Sequence, residues 1–175
     1  LYEALMERAD RLYPNDHWFF GKRLVHLLSQ GRTDEVRKLL ELASPEFKAM
    51  SMYHHQYGML YLHERNIEAM EQEYRFAVAT SPENPQHWSY LSMALRHLGR
   101  FDEAIIAADH ALDLDPTARF ALQVHQKVAE RKGDKAAAKH FEARIAASMP
   151  GVDHPQIRAA TKLTQQGDFK GAVAI

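Results

Sequence analysis

The sequence predicts an all-α fold, a continuous array of helix–turn–helix units with no central core. Three observations carry this. Residues 87–116, HWSYLSMALRHLGRFDEAIIAADHALDLDP, read as a helix, a turn at Gly99-Arg100, a second helix and a stop at Asp115-Pro116. Steps of 34 residues from Gly99 reach Gly133 and Gly167 going forward, and Arg65 and Gly31 going back. In the same register Ala104 maps onto Ala138, Ala172, Met70 and Val36, and Pro116 onto Pro150, Pro82 and Pro14, with Lys48 the exception. A period of this length is the signature of a repeat architecture.

Each punctuation mark has a physical task. Glycine at the turn accepts a positive φ at a helix C-terminus, where a side chain would be strained. Proline has no N–H and disfavours helix in the preceding residue, so it ends the unit after its second helix. Alanine in the recurring column is expected where two helices cross too closely for a larger side chain.

Bulk composition narrows the function classes. Hydrophobic residues make up 46% of the 175, as in ordinary folded proteins, and the formal net charge of −1 gives no basis for nucleic-acid binding. No apolar run approaches the roughly 20 residues needed to span a bilayer. There is no cysteine, which excludes disulfides and thiol chemistry. The compartment stays open, the cytoplasm favoured and the periplasm the alternative. The chain begins at Leu1 and ends in an apolar run at Ile175, so both ends read as cut.

Trp88, Leu91, Leu95, Gly99, Phe101, Ala104, Ala108, Ala111 and Pro116 together resemble one tetratricopeptide repeat. Residues 51–84 keep Tyr57, Gly58, Tyr61, Ile67, Tyr74, Ala77 and Pro82 of the same pattern. The resemblance implies a right-handed α-solenoid of antiparallel helix pairs. In chain order, residues 1–16 are then the second helix of a truncated repeat. Residues 17–50, 51–84, 85–118 and 119–152 are full repeats, and 153–175 a partial one. Ser44-Pro45 reads as an N-cap and first-turn proline, so the helix before it should end early and the next begin early. Arg23 and His125 stand in columns usually apolar, Lys135 replaces the turn aromatic, and Glu142 falls in a packing column. Solenoids need a polar cap over their last apolar face, and none is visible. The chain is therefore expected to be a fragment of a longer protein, with self-association through its uncapped ends.

The stretch MYHHQYGMLYLHER, residues 52–65, separates into two faces at helical spacing. His54, Tyr57, Gly58 and Tyr61 belong to the face that, by the resemblance, packs on the partner helix. His55, Met59 and His63 should face the concave groove, and steps of 34 extend each into a column. His55 is followed by Ser89 and Gln123, Met59 by Met93 and Lys127, and His63 by His97 and Arg131. Gln56, Tyr90 and Val124 form a further column, and Trp18, Met52, Gln86, Phe120 and His154 the groove edge. The expected peptide-binding residues are His55, Gln56, Met59, His63, Tyr90, Met93, His97, Lys127, Arg131 and Arg158. Methionine adapts to varied apolar shapes, whereas lysine and arginine take carboxylates or phosphates. The expected partner is a protein or peptide with apolar and acidic character. Of the Lys/Asn/Asn/Lys/Arg pattern by which such modules hold acidic chaperone tails, only Arg158 is present among Ser89, Met93, Val124, His154 and Arg158.

Catalytic and metal chemistry find no support. His55 and His63 lie eight residues apart, about 12 Å along a helix, too far to share an ion. Zinc sites need three or four ligands. No G-x-S-x-G elbow or glycine-rich phosphate loop occurs. No metal, cofactor or catalytic residue is therefore expected, and the leading reading is a non-catalytic protein–protein interaction scaffold. The rivals are a repeat segment of a larger enzyme of glycosyltransferase or sulfotransferase type, and a periplasmic exopolysaccharide-export or assembly component. The register itself is testable. Ala104→Arg should place a charge in the closest helix crossing and cost several kcal/mol; unchanged thermal unfolding would show the register to be wrong.

Overall fold

Five of the nine described helices start on a short polar side chain. In the computed structural model, which describes residues 16–148 together with Leu5, Arg8 and Leu12, Asp16 caps α1 (His17–Ser29). Its carboxylate accepts the N–H groups of Trp18 at 2.8 Å and Phe19 at 3.3 Å, donors that the helix cannot satisfy itself. After α2 (Thr33–Glu41), Ser44 caps the single turn α3 (Pro45–Lys48), and α4 (Ser51–His63) follows. Asn66 caps α5 (Ile67–Thr80), and Asn84 with Pro85 starts α6 (Pro85–His97). Then come α7 (Phe101–Leu114), α8 (Arg119–Lys132) and α9 (Lys135–Ala147), the last capped by Asp134. Among the described residues all regular structure is helical, and the helices pair antiparallel: α4 with α5, α6 with α7, α8 with α9. No helix among the described residues is long and apolar enough to cross a membrane.

The turns that close α1, α4, α6 and α8 are four copies of one motif. Gly31, Arg65, Gly99 and Gly133 have φ of 72°, 58°, 77° and 75°. In each, the next residue's N–H reaches back five residues, as Arg100 to the Leu95 carbonyl at 2.9 Å and Asn66 to that of Tyr61 at 2.9 Å. The turn residue's own N–H reaches back three, as Gly99 to Arg96. This pair of bonds satisfies carbonyls that would otherwise be orphaned at the helix end. Arg65 holds the same left-handed conformation with a side chain attached, at a cost of about 1 kcal/mol.

Between the turns, apolar faces meet in two clusters. The first gathers Leu24, Leu27, Leu28, Val36, Leu40, Phe47 and Leu60. The second runs from Met70, Tyr74 and Ala77 through Leu91, Leu95, Ala104 and Ala108 to Val128. Helix α4 joins them, with Leu60 in the first and Tyr61 and Leu62 packed on the second. Ala104 is fully buried, as are Met70 and Val36 at the equivalent positions. Ion pairs tie successive units along their outer sides: Arg37 donates to both carboxylate oxygens of Glu64, and Arg100 to buried Glu71 at 3.1 Å.

One expectation for the first unit is corrected. Helix α2 does end early, at Glu41, but Ser44-Pro45 does not begin α4. It begins the separate turn α3, and Met50, extended at ψ 146°, breaks the chain before α4. The cause is Phe47, 2% exposed and ringed by His17, Phe20 and Tyr53 at centroid distances of 5.1, 5.0 and 6.0 Å. Burying that ring contributes more than one continuous helix would add.

Two glycines make predictions of different origin from the same substitution. A Cβ on Gly58 would lie 2.5 Å from the fully buried Tyr74 ring, so Gly58→Ala should cost about 1–3 kcal/mol despite better helix propensity. Gly99 has open space around it, so Gly99→Ala should cost only the conformational term, about 1 kcal/mol. Arg65→Gly should relieve that same strain and raise the denaturation midpoint. Chemical denaturation of the three variants checks the order.

Candidate functional site

The first helices α4, α6 and α8 present the predicted groove residues in two strata. His55, Met59, Tyr90 and Met93 are half-buried, while His63, His97, Lys127 and Arg131 are exposed. Gln56 is corrected: at 3% exposure it is interior, its Nε2 3.5 Å from the Met52 sulfur. Val124, of the same column, is 1% exposed. Gln56 faces Gly21 of the preceding first helix, and Val124 belongs to the second apolar cluster. Arg158 and His154 lie outside the described residues, as do the expected partial helices at both ends.

Aromatic rings form the floor. Tyr90 stacks on Tyr74 at 5.0 Å and 8°, leans on Phe120 at 4.9 Å, and receives the edge of His55 at 5.4 Å. His55 also lies 5.6 Å from both Tyr74 and His87. Its Nδ1 is buried without a hydrogen-bond partner. Burial first, and the neighbouring His87 second, hold its pKa at about 4. Burial likewise lowers His87 and raises the Tyr90 phenol. His55 is therefore a neutral packing ring at the back of the groove and not a freely exposed ligand.

At the α6–α8 end the chemistry changes. Arg96, His97, Gly99, Phe101, Lys127 and Arg131 line an open concavity of about 580 Å³. The Arg131 guanidinium lies 4.5 Å above the Phe101 ring, and an Arg96 N–H reaches His97 Nε2 at 2.7 Å. Burial lowers the pKa of Arg96, and burial followed by the Arg96 charge lowers that of His97. Lys127 pairs with Glu130 at 2.9 Å on the exposed surface. Among the described residues no group of three His, Asp or Glu is placed to hold a metal ion.

Residues 88–118 match the family model of the tetratricopeptide repeat. The backbone superimposes on solved structures of that architecture at TM-scores above 0.6. Residues 88–118 are a tetratricopeptide repeat, and the chain shares the fold of arrays built from such repeats. The chain is similar to YrrB, described as a tetratricopeptide protein with an unusual peptide-binding site. The TM-score is 0.63 at 14% identity over 97% of this chain and 87% of that one. It is also similar to MamA, at 0.62 and 16% identity over 82% and 84%, and to a point mutant of MamA, at 0.61 and 20% over 85% and 88%. At these identities the likeness is one of fold. No curated protein sequence matches it.

Two residues of this surface escape a reading by columns. Arg96 follows Leu62 and precedes Glu130 at steps of 34, so nothing in its column marks it as a surface cation. Phe101 reads as a packing aromatic, yet its exposed side carries Arg131. Of the predicted packing face, His54 and Gly58 meet the partner helix, while Tyr57 packs on the first cluster. His54 bonds Glu73 at 2.8 Å and stacks on Phe76, and Gly58 admits the Tyr74 ring. His125, in a usually apolar column, stacks on Phe141 at 4.7 Å with Nε2 2.9 Å from Asp109.

The buried imidazole sets a pH dependence. With a folded pKa near 4 against 6.5 unfolded, only the unfolded chain takes up a proton at His55 between these values. Stability therefore falls as pH drops through that window, on the order of 3 kcal/mol in total. His55→Phe keeps the ring and removes the proton site, so its stability should fall less between pH 6.5 and 4. His87 supplies a smaller slope of the same sign. Equal slopes in paired urea titrations would refute the assignment.

Proposed function

We propose that this tetratricopeptide array is a non-catalytic scaffold that takes a peptide or protein segment across the surface of its first helices. The observation that carries the reading is that Met59, Met93 and Tyr90 of successive first helices are half-buried, with Tyr90 leaning on Phe120. Thioether side chains adapt to varied apolar partners, and fixed rings give contact area at little entropic cost. The exposed His63, His97, Lys127 and Arg131 border this surface and supply polar contacts. The peptide-binding site named for YrrB supports the same use of the fold.

The reading is tested with a displayed library of random short peptides selected on the wild-type protein. A selected peptide, synthesised with a fluorophore, should bind Met59→Ala/Met93→Ala at least about tenfold more weakly, the loss typical of a buried anchor contact. Anisotropy titrations give the ratio, and matched thermal melts confirm that both proteins are folded. Equal affinities would remove the two methionines from the binding site.

A further inference from the structure

The α6–α8 concavity is electrostatically incomplete. It collects three permanent cations, Arg96, Lys127 and Arg131, and no carboxylate among the described residues lines it. Glu130 pairs with Lys127 at its edge, and Asp102 and Glu103 line the adjoining concavity, where Glu103 is taken by Arg75 and Arg100. Glu130 is engaged with Lys127 in an exposed pair of adjacent turns, and pairs of that kind are weak enough to open for a ligand. Neither Arg96 nor Arg131 has an ion-pair partner among the described residues. Asp102 lines the neighbouring concavity with Arg131 but is not paired to it. Several other arginines are neutralised, Arg32 by Glu35, Arg37 by Glu64, Arg75 and Arg100 by Glu71 and Glu103, whereas exposed Arg65 and Arg119 stand singly on other parts of the surface and are not gathered into a cluster.

Two features make the cluster more than a chance excess of charge. Arg131 is positioned by the Phe101 ring and not by a carboxylate, which holds the guanidinium in place while leaving its donors available. Arg96 is partly buried, its guanidinium donates to a histidine nitrogen, and burial works against its charge. Helix dipoles offset some of this, because Arg96, His97 and Arg131 lie in the last turns of α6 and α8. That effect fades within a turn and supplies only a fraction of a unit charge at each end. An entering anion would complete the compensation.

We propose that Arg96, Lys127 and Arg131 form a carboxylate-recognition corner that takes an aspartate or glutamate side chain of the peptide lying on the groove. The corner borders Met93 through α6, so the acidic residue sits at a fixed distance from the apolar segment and sets the direction of the peptide. A planar guanidinium suits the two oxygens of a carboxylate, and the open volume admits a side chain on an extended backbone. The proposal rests on the groove reading above and adds to it the charge and polarity of the ligand.

The test uses peptides selected from the random library, made with amidated C-termini so that the terminal carboxylate plays no part. Aspartate or glutamate should recur at a constant spacing from an apolar run. Changing that residue to asparagine or glutamine should weaken binding to the wild type at least about tenfold, as loss of a charged contact does. Lys127→Glu/Arg131→Glu, both at exposed positions, should lose as much for the acidic peptide and little for its neutral counterpart. If acidic and neutral peptides bind the wild type equally while Met59→Ala/Met93→Ala still weakens both, the corner is wrong and the groove stands. If neither set of variants changes binding, both readings fall. A phosphoserine in the acidic position that binds more than tenfold tighter would overturn the carboxylate assignment in favour of phosphate.

Discussion

The left-handed turn at the end of each first helix is the constraint on which the structure depends. One residue at positive φ, with hydrogen bonds reaching back five and three positions, reverses the chain so that the second helix packs on the first. The reversal repeats every 34 residues at Gly31, Arg65, Gly99 and Gly133, so equivalent side chains fall in columns. Packing face, groove floor and outer ion pairs all inherit that spacing. Helix lengths do not share its rigour: α2 has 9 residues where α5 and α7 have 14, and the turns stay in step.

Close packing of α4 on α5 then depends on a missing side chain. The Tyr74 ring occupies the space a Cβ on Gly58 would need, and from there it stacks under Tyr90. The same ring thus belongs to the core of one unit and supports the surface of the next. His55 is confined against Tyr74, Tyr90 and His87, which is why a histidine that reads as a ligand behaves as a neutral aromatic. Tyr90 thus meets the interior through Tyr74 directly and through His55.

The fold was legible because its signals are local. Turn glycines, capping Asn and Asp residues and helix-stopping prolines act within a few positions, and the period multiplies each of them. Ser44-Pro45 was read correctly as a cap, but the destination of Phe47 depends on His17, Phe20 and Tyr53, which no local pattern brings together. The site was legible by face and less so by depth. Columns placed Met59, Met93, Lys127 and Arg131 on one surface, yet they could not tell that Gln56 and Val124 are interior. Arg96 was missed because a column averages over units, and its cation occurs in only one of them.

His54 stacks on Phe76 at 5.2 Å, and Trp88 stacks on His110 at 4.5 Å. The two pairs are one unit apart, with imidazole and aromatic ring on opposite helices. Each unit thus keeps the contact while exchanging the partners. Histidine in the first helix meets Glu73, whereas tryptophan in its place sends its indole N–H to the Pro82 carbonyl at 2.7 Å. The grammar of the array is therefore written in couples. A side chain transplanted from one unit to the next carries its meaning only if the ring facing it travels too.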